Sequence, residues 1–156
     1  MKITNVKMDM FYWKSEPWKV GLNFQTFGST QKLGVVTVET DEGISGNAFL
    51  GSSRMGADHF APGLIEFIKP RVIGKNPQDI GAIWQDLWKA NRSVSTYIIG
   101  AIDICLWDIN GKITGQPIHR LLGTCKEVVP VYSSTGFWET KEESILLGHQ
   151  HNNLIK

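Results

Sequence analysis

Two carboxylates on one apolar stretch, Asp103 and Asp108, are of the residue type that acts as general acid or general base. Their separation of five positions corresponds to roughly 140° around the axis of a helix. The two side chains therefore do not converge on one site. Because buried acids are usually paired, we expect Asp103 and Asp108 to cap a helix or to form an ion pair between domains.

Histidine and cysteine, the usual metal ligands and nucleophiles, show no functional spacing. The sequence contains no HxxxH, HExxH or CxxC pattern. The residues concerned are His59, His119, His149, His151, Cys105 and Cys125. Ser52 and Ser53 follow Gly51 without completing the GxSxG pattern of a serine nucleophile. The sequence thus predicts no metal site, no activated nucleophile and two structural thiols.

An aromatic-rich segment, Trp13 to Gln31, lies between the first two predicted strands. It is far longer than the usual connection of about four to six residues. A connection of this length is usually functional or disordered. Its side chains Trp18, Phe24 and Phe27 need apolar surroundings, which disfavours disorder. The segment is therefore a candidate binding loop.

The composition is that of one ordinary globular domain, with 156 residues of which 42% are apolar and 20% charged. The formal net charge of +1, without a long run of one sign, offers no surface to a nucleic acid or an anionic membrane. The first residues, Met1 to Asn5, lack the apolar core of a signal peptide. We expect a cytoplasmic protein that binds neither nucleic acid nor membranes.

Alternating apolar and polar residues predict three antiparallel strands at the start of the chain. The first covers residues 3–12, with Val6 on its apolar face. The second and third, Leu33–Thr40 and Ile44–Leu50, are joined by the turn Asp41–Gly43 and form a hairpin. These strands form the predicted sheet that positions the aromatic segment.

The apolar period then changes to that of a helix. A first helix covers Phe60–Ile68 and is closed by Pro70 and Gly74. In the second, Asn76 is the predicted N-cap residue and Pro77 the first helical residue. The apolar stripe of this second helix consists of Ile80, Ile83, Trp84, Leu87 and Trp88.

A third helix is predicted over Ser95–Ile113, and its wide apolar stripe requires burial on more than one side. Gly115 interrupts it, and Ile118–Leu122 adds a short helical turn stopped by Gly123. Val128–Tyr132 then has the β-branched residues of a buried strand. The order of elements is therefore three strands, three or four helices and one further strand.

Three strings of this sequence resemble one protein family. They are Val35–Gly46 (VVTVETDEGISG), Ala101–Lys112 (AIDICLWDINGK) and Gly115–Gly123 (GQPIHRLLG). All three resemble the N-terminal part of the enolase superfamily, in the branch of mandelate racemase and muconate lactonizing enzyme that includes acid-sugar dehydratases. The resemblance covers about residues 1–136.

The resemblance implies an α+β fold, with a three-stranded antiparallel sheet followed by a bundle of three to four helices, as in the enolase N-terminal domain. The first strand of an incomplete (β/α)8 barrel follows. Residues 1–125 correspond to the capping domain, and residues 126–156 to the first strand and the start of the first helix of the barrel. Because a complete barrel needs about 200 to 250 residues, we expect a truncated barrel.

The resemblance also implies a reaction, in which a sugar acid or related carboxylate loses the proton next to its carboxylate and then a water molecule. Magnesium (Mg2+) bound by carboxylates of the barrel is the cofactor. A cycloisomerase or a racemase of the same superfamily is the alternative. The family's Lys-x-Lys base pair does not occur in this sequence. We expect this chain to contain no catalytic residue, to bind no metal and to be inactive by itself.

By the same resemblance, Trp13–Gln31 and Gly51–Gly56 would close over the substrate and contact its end distant from the metal. Arg54 would pair with a second carboxylate of a diacid, and aromatic side chains would line the pocket. The predicted specificity residues are Trp18, Phe24, Phe27, Ser52 and Arg54. Alternatively, Arg54 lies in a solvated loop and the aromatic residues seal the loop onto its own domain.

Two hypotheses of another kind stay open. One is a non-catalytic assembly module that associates with a second copy through exposed apolar surface, because the stripe over Ile98–Ile113 has no assigned partner. The other is a truncated product without function.

Overall fold

The structure of the chain, a computed structural model, describes residues 1–14, 18–20, 25–27, 30–51 and 55–130, with the backbone alone for 18–20 and 25–27. It divides into two compact units. One consists of residues 1–15 and 29–124, the other of residues 16–28 and 125–156. The predicted domain boundary after residue 125 stays a prediction.

Five β-strands occur in the described residues. They are β1 (Ile3–Lys14), β2 (Trp18–Val20), β3 (Gln25–Phe27), β4 (Thr30–Thr40) and β5 (Ser45–Leu50). In the first unit, β1, β4 and β5 form an antiparallel sheet in the order β1-β4-β5. The three strands and the hairpin predicted from the sequence are confirmed. In the second unit, β2 and β3 form an antiparallel pair.

The inner face of the three-stranded sheet forms one side of the hydrophobic core. Val6, Val36 and Val38 are fully buried there, and Ala48 and Leu50 continue the same face on β5. Residues two positions apart share a face of a strand, so the alternation seen in the sequence places the apolar side chains together. The longest helix of the unit, residues 96–114, packs against β4 and β5.

The outer face of the sheet differs between its two ends. Lys7 and Glu39 form an ion pair of 2.6 Å at one end. At the other end, Phe11, Trp13 and Phe49 are 53%, 47% and 72% exposed. We call this region the aromatic end of the sheet.

Helical segments follow the sheet. They are a 3₁₀ turn (Ala57–His59), a π-helical segment (Gly63–Ile68) that runs into α1 (Lys69–Val72), then α2 (Ile80–Trp88), α3 (Thr96–Thr114) and α4 (Ile118–Leu121). The fold is therefore the predicted sheet followed by a group of helices.

Pro70 lies inside the first helix and does not close it, contrary to the prediction. The helix continues to Val72, just before Gly74. The ring of a proline normally collides with the carbonyl four residues earlier. Here the N–H of Lys69 donates to the carbonyl of Leu64, five residues earlier. A turn widened in this way gives the ring room.

The second helix, α2, begins at Ile80 and not at the predicted Pro77. Asn76 does not cap it. Its Oδ1 accepts a hydrogen bond from the N–H of Gln78 (3.1 Å), and its carbonyl accepts one from the N–H of Asp79 (3.1 Å). The side chain of Asn76 thus stabilises a separate turn, because a short polar side chain can satisfy nearby backbone groups without a helix.

The predicted apolar stripe of α2 is only partly buried. Ile83 and Leu87 are 2% and 1% exposed, whereas Trp84 and Trp88 are 41% and 44% exposed. The two tryptophan rings stack on each other with centroids 5.1 Å apart. Stacking removes part of both rings from water while α2 keeps its narrower buried face.

Helix α3 is the centre of the core, as predicted. The side chain of Ser95 caps it by accepting a hydrogen bond from the N–H of Tyr97 (3.3 Å), and Gly115 ends it. Its buried residues lie on more than one side of the helix axis and include Ile98, Ile99, Ala101, Ile102, Cys105, Leu106 and Ile109. The predicted helix and its extensive burial are both confirmed.

Beyond α4 and Gly123, the described chain has no regular structure. Val128, Val129 and Pro130 form no strand, and the two valines are 81% and 65% exposed. The rest of the predicted strand and the predicted barrel helix lie outside the described residues. Among the helices that the structure describes, none has the length and apolar character needed to span a bilayer.

Candidate functional site

The two candidate specificity segments leave the same end of the three-stranded sheet. Strand β1 stops at Lys14, which lies opposite Thr30 at the start of β4. Strand β5 runs in the same direction as β1 and stops at Leu50, which lies opposite Gly34, close to the middle of β4. Residues 15–29 and the segment Gly51–Gly56 therefore both continue from the aromatic end of the sheet.

Both ends of the segment Gly51–Gly56 are in close contact with Lys32 of β4. A Cβ atom at position 51 would lie 2.9 Å from the nitrogen of Ala57 and 3.1 Å from the carbonyl oxygen of Lys32. A Cβ atom at position 56 would lie 3.0 Å from the Cβ of Lys32. Gly51 also has a φ of 107°, which side chains disfavour. Glycine is therefore required at position 51, where the near atoms belong to the backbone.

Lys32 also forms an ion pair with Asp58, in the 3₁₀ turn directly after this segment. The hydrogen bond from Lys32 lowers the pKa of the Asp58 carboxyl, and the same bond raises the pKa of the Lys32 ammonium group. Both groups are therefore charged at neutral pH. Their side chains are 37% and 45% exposed, so solvent screens the pair. Its main effect is on local geometry.

The structure describes only part of the predicted specificity residues. Trp18 and Phe27 lie directly opposite each other in the β2-β3 ladder, so these two residues are brought together. Phe24, Ser52 and Arg54 lie outside the described residues, as do the side chains of Trp18 and Phe27. The roles assigned to all five stay predictions.

Asp108 fastens α3 to the free edge of the sheet. Its Oδ2 accepts hydrogen bonds from the N–H of Asn47 in β5 (2.9 Å) and from the Nζ of Lys112 (2.7 Å). Lys112 also donates to the carbonyl of Ser45 (2.7 Å). The ion pair expected for Asp108 therefore exists, but within one helix and against the edge strand rather than between domains.

Asp103 has a different environment and shares no partner with Asp108. It is half-buried, and no hydrogen bond or ion pair holds it among the residues that the structure describes. Burial raises the pKa of its carboxyl group. The cap or ion pair predicted for Asp103 is therefore absent from the described part of the chain, and its carboxylate is separate from that of Asp108.

A cleft of about 350 Å³ lies beside Asp108, with Asn47, Ile104, Trp107 and Ile118 as its other walls. Both polar residues already take part in hydrogen bonds within the fold. Asp108 accepts from the backbone of Asn47, and the side-chain oxygen of Asn47 accepts from the hydroxyl of Thr37 (2.9 Å). This cleft therefore has apolar walls without converging polar groups.

The magnesium ion implied by the resemblance has no ligand set in the part of the chain that the structure describes. No three His, Cys, Asp or Glu side chains come together there. Magnesium is usually held by carboxylate oxygens. No step of a reaction is therefore assigned to a metal ion held by these residues.

Lys32 and Asp58 are the site residues that the sequence prediction missed. They are 26 positions apart and have no motif in common. The available signal was the pair of glycines that bracket residues 52–55, because such a bracket indicates close backbone contacts at both ends. It does not reveal which residue the backbone approaches.

A family model described as the mandelate racemase / muconate lactonizing enzyme N-terminal domain matches residues 4–123 of this chain. A D-galactonate dehydratase family member from Musicola paradisiaca (strain Ech703) is 37% identical over 112 residues, which cover 66% of this chain and 26% of the relative. A cis-3-hydroxy-L-proline dehydratase from Roseibium aggregatum is 40% identical over 114 residues, or 68% of this chain and 29% of that relative. The chain thus spans about a quarter of the length of these curated relatives.

The crystal structure of L-talarate dehydratase from Polaromonas sp. JS666, complexed with Mg and L-glucarate, has a similar fold. It matches with a TM-score of 0.73 and 27% identity, over 97% of this chain and 43% of that one. The predicted fold class, a three-stranded antiparallel sheet with several helices, is confirmed by this match. The chain belongs to the mandelate racemase / muconate lactonizing enzyme N-terminal domain family of the enolase superfamily.

Proposed function

We propose that this domain caps the active site of a magnesium-dependent dehydratase of the enolase superfamily that acts on a sugar acid or a related carboxylate. One observation carries the proposal: residues 15–29 and Gly51–Gly56 continue from one end of the sheet, where the second segment is held against Lys32. The dehydratases among the relatives and the magnesium in the L-talarate dehydratase structure support the reaction class.

In this reaction a base removes the proton from the carbon next to the carboxylate, and the hydroxyl group on the neighbouring carbon leaves as water. A divalent cation supplies the charge stabilisation that so weak an acid requires. We assign the base and the metal ligands to the barrel of the full-length family. We assign substrate choice to this domain, through Trp18, Phe24 and Phe27 as pocket walls and Ser52 and Arg54 as polar contacts.

We also propose that the 156-residue chain has no enzymatic activity by itself. The test is to incubate the purified chain with magnesium chloride and D-galactonate, D-glucarate or L-talarate, and to measure the 2-oxo acid as its semicarbazone. We expect no product. Magnesium-dependent formation of a 2-oxo acid would contradict this part of the proposal. We further propose a cytoplasmic location, which cell fractionation tests.

The capping role is tested in a chimera in which residues 4–123 of this chain replace the matching segment of the Musicola paradisiaca relative. We expect magnesium-dependent dehydration with an altered order of substrate preference. The matched control replaces only the relative's segments equivalent to Trp13–Gln31 and Gly51–Gly56, and it should show the same altered preference. A chimera that folds and binds magnesium but converts no acid would overturn the proposal.

The products of the same chimera separate the dehydratase from its alternatives. A dehydratase forms a 2-oxo acid that is lighter than the substrate by one water. A racemase returns an epimer of unchanged mass, and a cycloisomerase returns a cyclic isomer of unchanged mass. Mass spectrometry with chiral chromatography therefore identifies which of the three reactions the chimera catalyses.

The stripe over Ile98–Ile113 does not support self-association, because most of it is buried in the core. Self-association is instead a second candidate function because of the aromatic end of the sheet. Phe11, Trp13 and Phe49 are exposed there, next to half-buried Leu33 and Val35, and none of the five is charged. Exposed Asp9, opposite Val35, places one carboxylate at the border of this patch. An apolar patch of this kind can pair with itself across a two-fold axis, so the proposed partner is a second copy of this chain.

Sedimentation velocity over a wide concentration range tests the self-association. The Phe49→Ser variant should shift the equilibrium towards monomer, whereas Phe67→Ser, which removes a phenyl ring that is 50% exposed elsewhere, should not. A monomer at every concentration would remove the assembly hypothesis.

A further inference from the structure

Lys32 has three separate contacts at the ends of the segment Gly51–Gly56. Its carbonyl oxygen approaches Gly51, its aliphatic stem approaches Gly56, and its ammonium group pairs with Asp58. We propose that Lys32 is a positioning residue, which holds both ends of this segment against the first residues of β4. Any effect of Lys32 on catalysis rests on the proposed function. The contacts of Lys32 are independent of that function.

The entry of the segment is held by backbone contacts. A Cβ atom at Gly51 would lie 2.9 Å from the nitrogen of Ala57 and 3.1 Å from the carbonyl oxygen of Lys32. The start of the segment therefore lies against both the residue that follows its end and the strand beside it. Any displacement of Lys32 along β4 would move this junction.

The exit of the segment is held by the side chain of Lys32. A Cβ atom at Gly56 would lie 3.0 Å from the Cβ and from the Cδ of Lys32, so the stem packs on the backbone of Gly56. Asp58 follows two positions later and pairs with the ammonium group. A long side chain with an apolar stem and a charged end is required for both contacts at once.

The same residue lies at the base of the other candidate segment. Lys32 is opposite Tyr12, and only two further register pairs, Trp13 with Gln31 and Lys14 with Thr30, separate it from residues 15–29. Lys32 is therefore close in the chain to the point where the other segment begins, whereas its close contacts are with Gly51, Gly56 and Asp58.

The exposure of the ion pair indicates what kind of effect its loss has. Exposed pairs contribute little to global stability, and Lys32 and Asp58 are both more than one-third exposed. Loss of the Lys32–Asp58 pair should instead weaken the hydrogen bonds of the adjacent 3₁₀ turn. They run from the N–H of His59 to Gly56 (3.1 Å) and from the N–H of Phe60 to Ala57 (3.0 Å).

The test is native-state amide hydrogen exchange of the 156-residue chain with three substitutions at one position. Lys32→Met keeps most of the stem and removes the charge, Lys32→Ala removes both, and Lys32→Arg keeps both. The reporters are the amides of His59 and Phe60, and the amide of buried Ile102 in α3 reports global opening. Lys75→Met is the matched control, because it breaks the 2.6 Å pair with Asp86 at similar exposure without involving β4.

We expect Lys32→Met to lower the protection of His59 and Phe60 by about two- to fivefold, the range that a surface pair allows. Lys32→Ala should lower it further, and Lys32→Arg should restore the wild-type value. Ile102 should keep its protection in all three, and Lys75→Met should leave His59 and Phe60 unchanged.

Unchanged protection of His59 and Phe60 in both Lys32→Met and Lys32→Ala would overturn the inference. An equal loss at Ile102 would also overturn it, since Lys32 would then act on the stability of the whole unit. Neither result depends on substrate or metal, so a failure here is distinguishable from a failure of the proposed capping function.

Discussion

Gly46 of β5 lies directly against the carbonyl of Cys105 in α3. A Cβ atom at position 46 would lie 1.9 Å from that oxygen and 2.9 Å from a side-chain carbon of Ile109. Only a residue without a Cβ lets the edge strand approach the central helix this closely. The position of β5 on the core therefore depends on a single glycine.

Gly46→Ala is expected to destabilise the chain by about 2 to 3 kcal/mol, because overpacking against backbone atoms forces the strand away from the helix. Equilibrium unfolding in urea measures the change. Gly100→Ala in α3 is the matched control, because a Cβ atom there meets nothing within 4 Å. It should be neutral or stabilising by up to about 1 kcal/mol. Equal stabilities of the two variants would contradict the close contact.

The two cysteines are expected to differ in reactivity. Cys105 is buried, its thiol donates to the carbonyl of Val36 (3.6 Å), and burial raises its pKa to about 12. Cys125 is exposed, so the prediction of two structural thiols holds only for Cys105. At pH 8 a disulfide reagent should modify one thiol rapidly, and the second only after unfolding, because the thiolate is the reactive form.

Cys125→Ser provides the control for this assignment. It should abolish the rapid reaction and leave the slow one unchanged. Rapid modification of two thiols in the native wild-type chain would show that the core around Cys105 opens more readily than its burial indicates.

Asp103 is expected to make stability depend on pH in an unusual direction. Burial raises the pKa of its carboxyl group above the ordinary 3.8, so the folded chain binds this proton more tightly than the unfolded chain does. Stability therefore falls as pH rises from 3.8 through the folded pKa. Asp103→Asn should be more stable than wild type at pH 7 and equal to it at a pH below 3.8.

Asp86 provides a matched control with the opposite sign. The hydrogen bond from Lys75 lowers the pKa of the Asp86 carboxyl. The Asp86 carboxylate therefore stabilises the chain at a pH above its pKa in the unfolded chain. This stabilisation is lost as pH falls through its lower pKa in the folded chain. Asp86→Asn should destabilise the chain at pH 7 and have no effect in acid. If both variants changed stability in the same direction at pH 7, burial would not be what distinguishes the two carboxylates.

The elements with strong local patterns were predictable from the sequence. The β4-β5 hairpin has strict alternation and a turn at Asp41–Gly43, and α3 has an apolar stripe between Ser95 and Gly115. The predictions around Pro70 and Asn76 were wrong because competing backbone arrangements, a π turn and a side-chain-stabilised turn, satisfy the same residues. Local sequence does not indicate which arrangement has the lower free energy.

The candidate site was less predictable, because its contacts join distant parts of the chain. Lys32 meets Asp58 only through the register of β4 in the folded sheet. For Asp108 the sequence suggested capping or an ion pair. Only the position of β5 shows that its carboxylate accepts a hydrogen bond from the N–H of Asn47. Residue types limit the possible partners, whereas tertiary packing selects among them.

Asp108 is expected to stabilise the edge of the sheet more than it stabilises α3. It accepts one hydrogen bond from the backbone of Asn47 and one from Lys112. Asp108→Ala leaves the Asn47 N–H without this acceptor at the edge of the sheet and should cost about 1.5 to 3 kcal/mol, as for hydrogen bonds to charged groups. Lys112→Met removes only a partly exposed ion pair and should cost less than about 1 kcal/mol.

Urea unfolding at low and high salt separates these two contributions. High salt screens the ion pair, so it should reduce the cost of Lys112→Met and leave most of the cost of Asp108→Ala. Asp108→Asn should recover part of the stability, because an amide oxygen can still accept from Asn47. If Lys112→Met proved as costly as Asp108→Ala and both costs disappeared in salt, the ion pair within α3, and not the edge hydrogen bond, would hold β5 in place.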